Sequence, residues 1–178
     1  MSLLDALLSR LADAAAFSEA RRILSASRDV TIAVPGLVRP LLTAALFSQE
    51  PRPTLVALSG EEAAERYARQ VAAYLPAGSV LRFPERAEMP WSEMPADVEA
   101  VGTRARALNA LSTGRPVIVV ASARSLLRAL PPQGSAVFTP LVLEEGAQIE
   151  LDDAVAHLAR MGYTRVDIAE EPGTFAVR

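Results

Sequence analysis

"PVIVVASARSLLRAL", residues 116–130, decides the fold. A strand with one face in water alternates apolar and polar side chains. Val117 to Ala121 is instead an unbroken apolar run, the pattern of a strand buried on both faces. Such strands occupy the interior of parallel sheets, which need helices on either side. Ser122 follows the run directly and suits the N-cap of a short helix, because its hydroxyl can accept a bond from a free first-turn amide.

The same grammar extends upstream. "TLVAL" (54–58) and "SVLRF" (79–83) read as strands, and so does the β-branched run "VTIAV" (30–34). Pro35-Gly36 ends that run, and Leu37 to Phe47 is apolar enough for a helix despite Pro40. Between the next strands, Ser59 would cap a helix reaching about Leu75, with Glu61 and Glu62 in its first turn, where the helix dipole favours acids. From Asp97 a helix follows with Val98, Val101, Ala105, Leu108 and Leu111 on one face. At the start, Leu3, Leu4, Leu7, Leu8 and Leu11 give an amphipathic helix, and a second runs near Ser18 to Ser27 with Ser18 as its cap. Strands alternating with helices define an α/β fold with a parallel sheet and crossover helices.

After "PPQGS" (131–135) the pattern changes. A helix near Asp152 to Met161 is followed by two short runs, "TRVDI" and "TFAVR", that read as hairpin-like strands. The expected organisation is an α/β domain over 1–130 and the beginning of a smaller α+β domain over 131–178. The second is acidic: residues 141–178 hold eight carboxylates and three arginines. The run "GTFAVR" reads as a strand still in progress, which suggests a fragment of a longer protein.

Composition narrows the chemistry. Hydrophobic residues make up 51% of the 178 and charged residues 22%, enough apolar material for a globular core. The net charge of −3 gives no general attraction to nucleic acid or anionic membrane. There is no cysteine, which excludes disulfides, zinc–thiolate sites and cysteine nucleophiles. All 18 basic residues are arginine, so no Schiff base, lysine base or phosphate-loop lysine is available. The N-terminal segment is interrupted by Asp5, Arg10 and Asp13 and does not read as a signal peptide. No uncharged apolar run reaches the ~18 residues of a membrane span. A cytoplasmic protein without membrane contact is expected.

Four stretches are candidate sites. The strand–turn–helix "VPGLVRPLL" (34–42) sits where a phosphate loop would, but it has a single glycine, no lysine, and a proline that removes an amide donor. Arg39 and Thr43 retain the means to hold some anion there. His157, one turn after Asp153, reads as an ordinary helix-surface residue, and metal ligation would need further ligands. The loop "PERAEMPWSEMP" carries Trp91, which either anchors the loop over the sheet or offers a recognition surface. Finally, Arg165 and Arg178 on neighbouring strands, with Phe175 between them in sequence, combine forked donors with an aromatic, a composition typical of protein interfaces.

Three stretches in order, "FPERAEMPWSEMPADVEAVGTRARALNAL", "PVIVVASARSLLRALPP" and "GYTRVDIAEEPGTFAVR", resemble the N-terminal region of the bacterial transcription-repair coupling factor (Mfd) family, itself similar to the nucleotide excision repair protein UvrB. The resemblance runs from about Val30 to Arg178. It implies a helicase-like first domain with a degenerate phosphate loop, and the start of a UvrA-binding domain. Arg165 and Arg178 match two arginines of the family's binding pattern, while Ala176 stands where a third would be. The implied role is non-catalytic: recruiting UvrA in transcription-coupled repair through Arg165, Phe175 and Arg178, and holding the full-length protein in a repressed state. No cofactor, metal or catalytic residue is implied. RNA polymerase and DNA would be met only through other domains of a full-length protein. The alternative from the residues alone is a small Rossmann-like enzyme domain using a ligand at the 35–40 turn.

Overall fold

A computed structural model describes residues 3–86, 97–130, 132 and 141–177. Two helices open the chain, α1 (Leu3–Ala12) and α2 (Ala15–Ala26). A 3-10 turn (Gly36–Val38) leads into α3 (Arg39–Gln49). Then come β1 (Thr54–Leu58), α4 (Glu61–Ala72), β2 (Val80–Phe83), α5 (Val98–Ser112), β3 (Ile118–Ser122) and the short α6 (Ala123–Leu126). The remainder holds α7 (Leu151–Arg160), β4 (Thr164–Arg165) and β5 (Thr174–Phe175).

The run that announces the fold is the middle of the sheet. β3 lies between β1 and β2, parallel to both, with Val119 opposite Leu55 on one side and Leu81 on the other. All five residues of β3 are buried. Side chains alternate across a strand, and the two faces serve different helices. Ile118 and Val120 join Ala64, Ala68 and Val71 of α4, with Ala44 and Phe47 of α3. Val117, Val119 and Ala121 join Ala107 and Ala110 of α5, with Phe83. The α/β expectation therefore holds, as helices on both faces of a small parallel sheet.

Several local expectations need correction. Residues 30–34 form no strand. Val30, Ile32 and Val34 are half-buried and Thr31 and Ala33 exposed, so the alternation is present without a ladder partner among the described residues. β-propensity measures fit to a paired, half-buried surface and cannot supply the neighbour. Ser59 does not cap α4; Gly60 takes that position without a side-chain bond. Neither does Ser18 start α2, which begins at Ala15. Pro40 sits within the first turn of α3, where its missing N–H costs nothing.

α5 is rotated relative to its apolar pattern. Val98 and Val101 are exposed, and the buried positions are Arg104, Ala107 and Ala110. The small alanines let the helix approach the sheet, and Leu108 and Leu111 pack at the margin. Arg104 remains 6% exposed because its guanidinium is satisfied: it donates to the Pro84 carbonyl at 2.7 Å and lies over the Phe83 ring, 3.7 Å from the centroid.

A polar network closes the carboxyl end of the sheet. The buried Ser122 hydroxyl donates to Glu85 Oε1 at 2.6 Å and accepts from the Ser125 amide at 3.1 Å, capping α6 as its sequence position predicts. The Glu85 amide donates to Glu61, whose carboxylate also pairs with Arg82. Glu61 thus holds the exit of β2 as well as facing the dipole of α4.

Candidate partner-binding site

The segment 141–177 is organised by one helix and two very short strands. α7 starts with Asp152 and Asp153 in its first turn, where carboxylates are favoured, and carries His157 and Arg160 in its last. Its end is a Schellman motif. Gly162 takes φ +87°, its amide donates to Ala159 O, and the Tyr163 amide reaches back to Leu158 O at 3.0 Å. That fixed reversal launches β4, with Arg165 as its second residue.

β4 and β5 pair in parallel, with Thr164 opposite Thr174 and Arg165 opposite Phe175. The hairpin-like expectation is therefore corrected. Instead of a tight reversal, the chain crosses back through 166–173, so that both strands run the same way. The ladder bonds are Thr164 N–H to Gly173 O and Val166 N–H to Phe175 O, both 2.9 Å. The turn before β5 is Glu171-Pro172-Gly173-Thr174, closed by the Thr174 amide on Glu171 O at 3.2 Å. Proline second and a positive-φ glycine third make it a type II turn.

The structure therefore brings Arg165 and Phe175 side by side on neighbouring strands. Residues in register share a face, so guanidinium and ring project together. Arg165 is exposed and makes no ion pair among the described residues, and Phe175 is half-buried. An unpaired fork beside an aromatic can bind a carboxylate with two parallel bonds while the ring supplies apolar area. Arg178, the third member of the expected site, lies outside the described residues, and so does Trp91.

The other sequence candidates are dispersed. Thr43 shares a hydrogen bond with the Tyr67 hydroxyl at 2.8 Å, which ties it to α4 rather than to the 35–40 turn. Leu37 in that turn is 91% exposed. A cavity of about 890 Å³ opens between α2, α3 and β1, lined by Arg21, Arg22, Arg52, Phe47 and Leu55 among others, but by no residue of 35–40 or 141–178. Among the described residues no cluster of three or more His, Asp or Glu could hold a metal ion, and no helix is long and apolar enough to cross a membrane. The buried Arg104 and the Glu85–Ser122 bond have no signature in apolar periodicity. The only hint for Arg104 is the small-residue spacing of Ala107 and Ala110 that follows it.

Residues 141–178 match the UvrB interaction domain. The transcription-repair-coupling factor of Mycobacterium tuberculosis is 34% identical over 157 residues, 84% of this chain and 12% of that protein. That of Bacillus subtilis is 29% identical over 144 residues, 80% of this chain and 12% of the relative. The UvrABC system protein B of Thermobifida fusca is 30% identical over 173 residues, 89% of this chain and 24% of the relative. The chain thus spans about an eighth of the coupling factors it matches. Residues 141–178 belong to the UvrB interaction domain family, and the chain as a whole belongs with the UvrB-like region of the transcription-repair-coupling factors.

Proposed function

We propose that this chain is a non-catalytic recruitment module that binds UvrA in transcription-coupled nucleotide excision repair. Residues 1–130 form a helicase-like domain whose phosphate loop has degenerated, and 131–178 begin the UvrA-binding domain. The observation that carries the reading is the register of Arg165 with Phe175 inside the segment that matches the UvrB interaction domain. Arg165 and Arg178 take carboxylates of UvrA through forked bonds, and Phe175 is the apolar anchor between them. Contacts with RNA polymerase and DNA belong to other parts of a full-length coupling factor, in the cytoplasm.

Pull-down by immobilised UvrA, followed by titration, tests this. Arg165→Glu combined with Arg178→Glu is expected to abolish capture. Phe175→Ala alone is expected to weaken affinity by about 2 kcal/mol, roughly thirtyfold, the scale of an interface hot spot. Capture of the doubly reversed variant at the wild-type level sinks the assignment. The 35–40 turn offers little to a rival enzymatic reading, because it lines no part of the cavity beside β1.

A further inference from the structure

The strand pair that carries Arg165 and Phe175 cannot hold its own orientation. No described residue of 141–177 is buried, α7 included. Each strand is two residues long, and a two-stranded ribbon of that size is not independently stable. Something outside the segment has to fix it.

The close approach that does so is at Gly173. A Cβ built on Gly173 would lie 2.9 Å from Val98 Cγ1, 3.7 Å from Cγ2 and 3.9 Å from Cβ of that valine. Val98 is the first residue of α5, on the far side of the sequence change at 131–135. The α5 terminus is itself rigid: the Asp97 carboxylate accepts from the Glu99 and Ala100 amides, and Arg104, two turns on, bonds the Pro84 carbonyl. Valine is stiff about χ1, so the γ-methyl cannot rotate away without strain. Thus the bare Cα of Gly173 sits against a fixed valine. Its own carbonyl accepts the Thr164 amide, and Phe175 is two residues away.

We propose that Gly173 is a positioning residue for partner binding: it seats the β4–β5 pair on Val98 at the start of α5 and so fixes Arg165 and Phe175 relative to the α/β unit. This rests on the reading of Arg165 and Phe175 as the partner-binding pair. A site built from two side chains gains affinity when its supporting surface is ordered before the partner arrives.

Gly173→Ala, Val98→Ala and the double variant in the full chain test it, with two readouts: affinity for purified UvrA, and hydrogen exchange of the Thr164 and Val166 amides. Gly173→Ala should weaken UvrA binding about tenfold and speed exchange at both amides by a similar factor. Val98→Ala alone should weaken binding by about two- to threefold, because it removes the γ-methyls on which the Gly173 backbone is seated. Removing the γ-methyls should then rescue Gly173→Ala, recovering at least about half of the loss on a logarithmic scale. The remainder is the positive-φ strain of alanine in the type II turn, which Val98→Ala cannot relieve.

Wild-type affinity in Gly173→Ala overturns the inference, and so does tighter binding, which would mean that the contact masks the site. A double variant as weak as Gly173→Ala also overturns it, since turn strain alone would then account for the loss. If wild type itself does not bind UvrA, the functional reading fails, while the exchange data still decide the docking contact: no rescue of exchange by Val98→Ala refutes it.

Discussion

Replacing Arg104 by alanine should destabilise the α/β unit more than any surface arginine substitution. The guanidinium is an integral part of the packing between α5 and the end of β2. Its bond to the Pro84 carbonyl at 2.7 Å involves a charged donor, and such bonds contribute about 1.5–3 kcal/mol. Stacking over the Phe83 ring at 3.7 Å in a site sheltered from water adds about 1–2 kcal/mol. Together these give a loss of about 3–5 kcal/mol, a substantial part of the stability of an ordinary domain. At about 2–4 °C per kcal/mol for a chain of this size, the melting temperature should fall by roughly 6–20 °C. Thermal and urea unfolding of Arg104→Ala, Arg104→Met and Arg104→Lys measure it. Methionine keeps the stem volume and a soft contact with the ring, so its loss should be smaller than that of alanine. Lysine keeps the charge and loses the flat stack, and should fall between wild type and alanine. A melting temperature for Arg104→Ala within about 2 °C of wild type refutes the reasoning. Full stability in Arg104→Lys refutes the part assigned to stacking.

Ser122→Ala removes both the 2.6 Å bond to Glu85 and the cap on the Ser125 amide, and the urea midpoint should report a loss of about 2–3 kcal/mol. Asp97→Ala deletes the cap of α5; a loss of about 1 kcal/mol is expected, with faster exchange at the Glu99 and Ala100 amides. Unchanged exchange there would show that the cap is not used in solution. Titration with ATP followed by calorimetry should give no heat at micromolar ligand, because the 35–40 turn lacks the glycines and lysine of a phosphate cradle. Measurable heat would restore the enzymatic alternative.

The centre of the fold was legible because β3 satisfies every local rule at once. Its run from Val117 to Ala121 is apolar throughout, bounded by Pro116 and Ser122, and buried on both faces as its composition demands. Boundaries failed where tertiary partners decide. "VTIAV" has the alternation of a strand, yet no described strand lies beside it, and sequence cannot report a missing neighbour. α5 failed differently. Its apolar positions suggest a face through Val98 and Val101, but an arginine with a carbonyl and a ring to satisfy it took the buried position and turned the helix. At the candidate site, arginine and aromatic composition pointed to Arg165 and Phe175, and the register confirms their proximity. The parallel sense of the strands was hidden, because it depends on how 166–173 crosses back rather than on either run alone.

Under the proposed function, the acidic character of 141–178 constrains what Arg165 can recognise. With eight carboxylates against three arginines, an anionic surface is repelled by this segment as a whole. A partner whose facing surface is basic, with a carboxylate placed opposite Arg165, satisfies both the long-range field and the local fork. Asp167, Glu170 and Glu171 are exposed close to Arg165 in the sequence, so they penalise a partner that docks out of register while leaving the aligned one attracted. Arginine suits that task better than lysine would. A planar fork rewards one orientation of a carboxylate, whereas an ammonium accepts many. Because no described residue of 141–177 is buried, such directional chemistry is of use only if the strands themselves are held still. Under the proposed function the α/β unit is the platform that holds them.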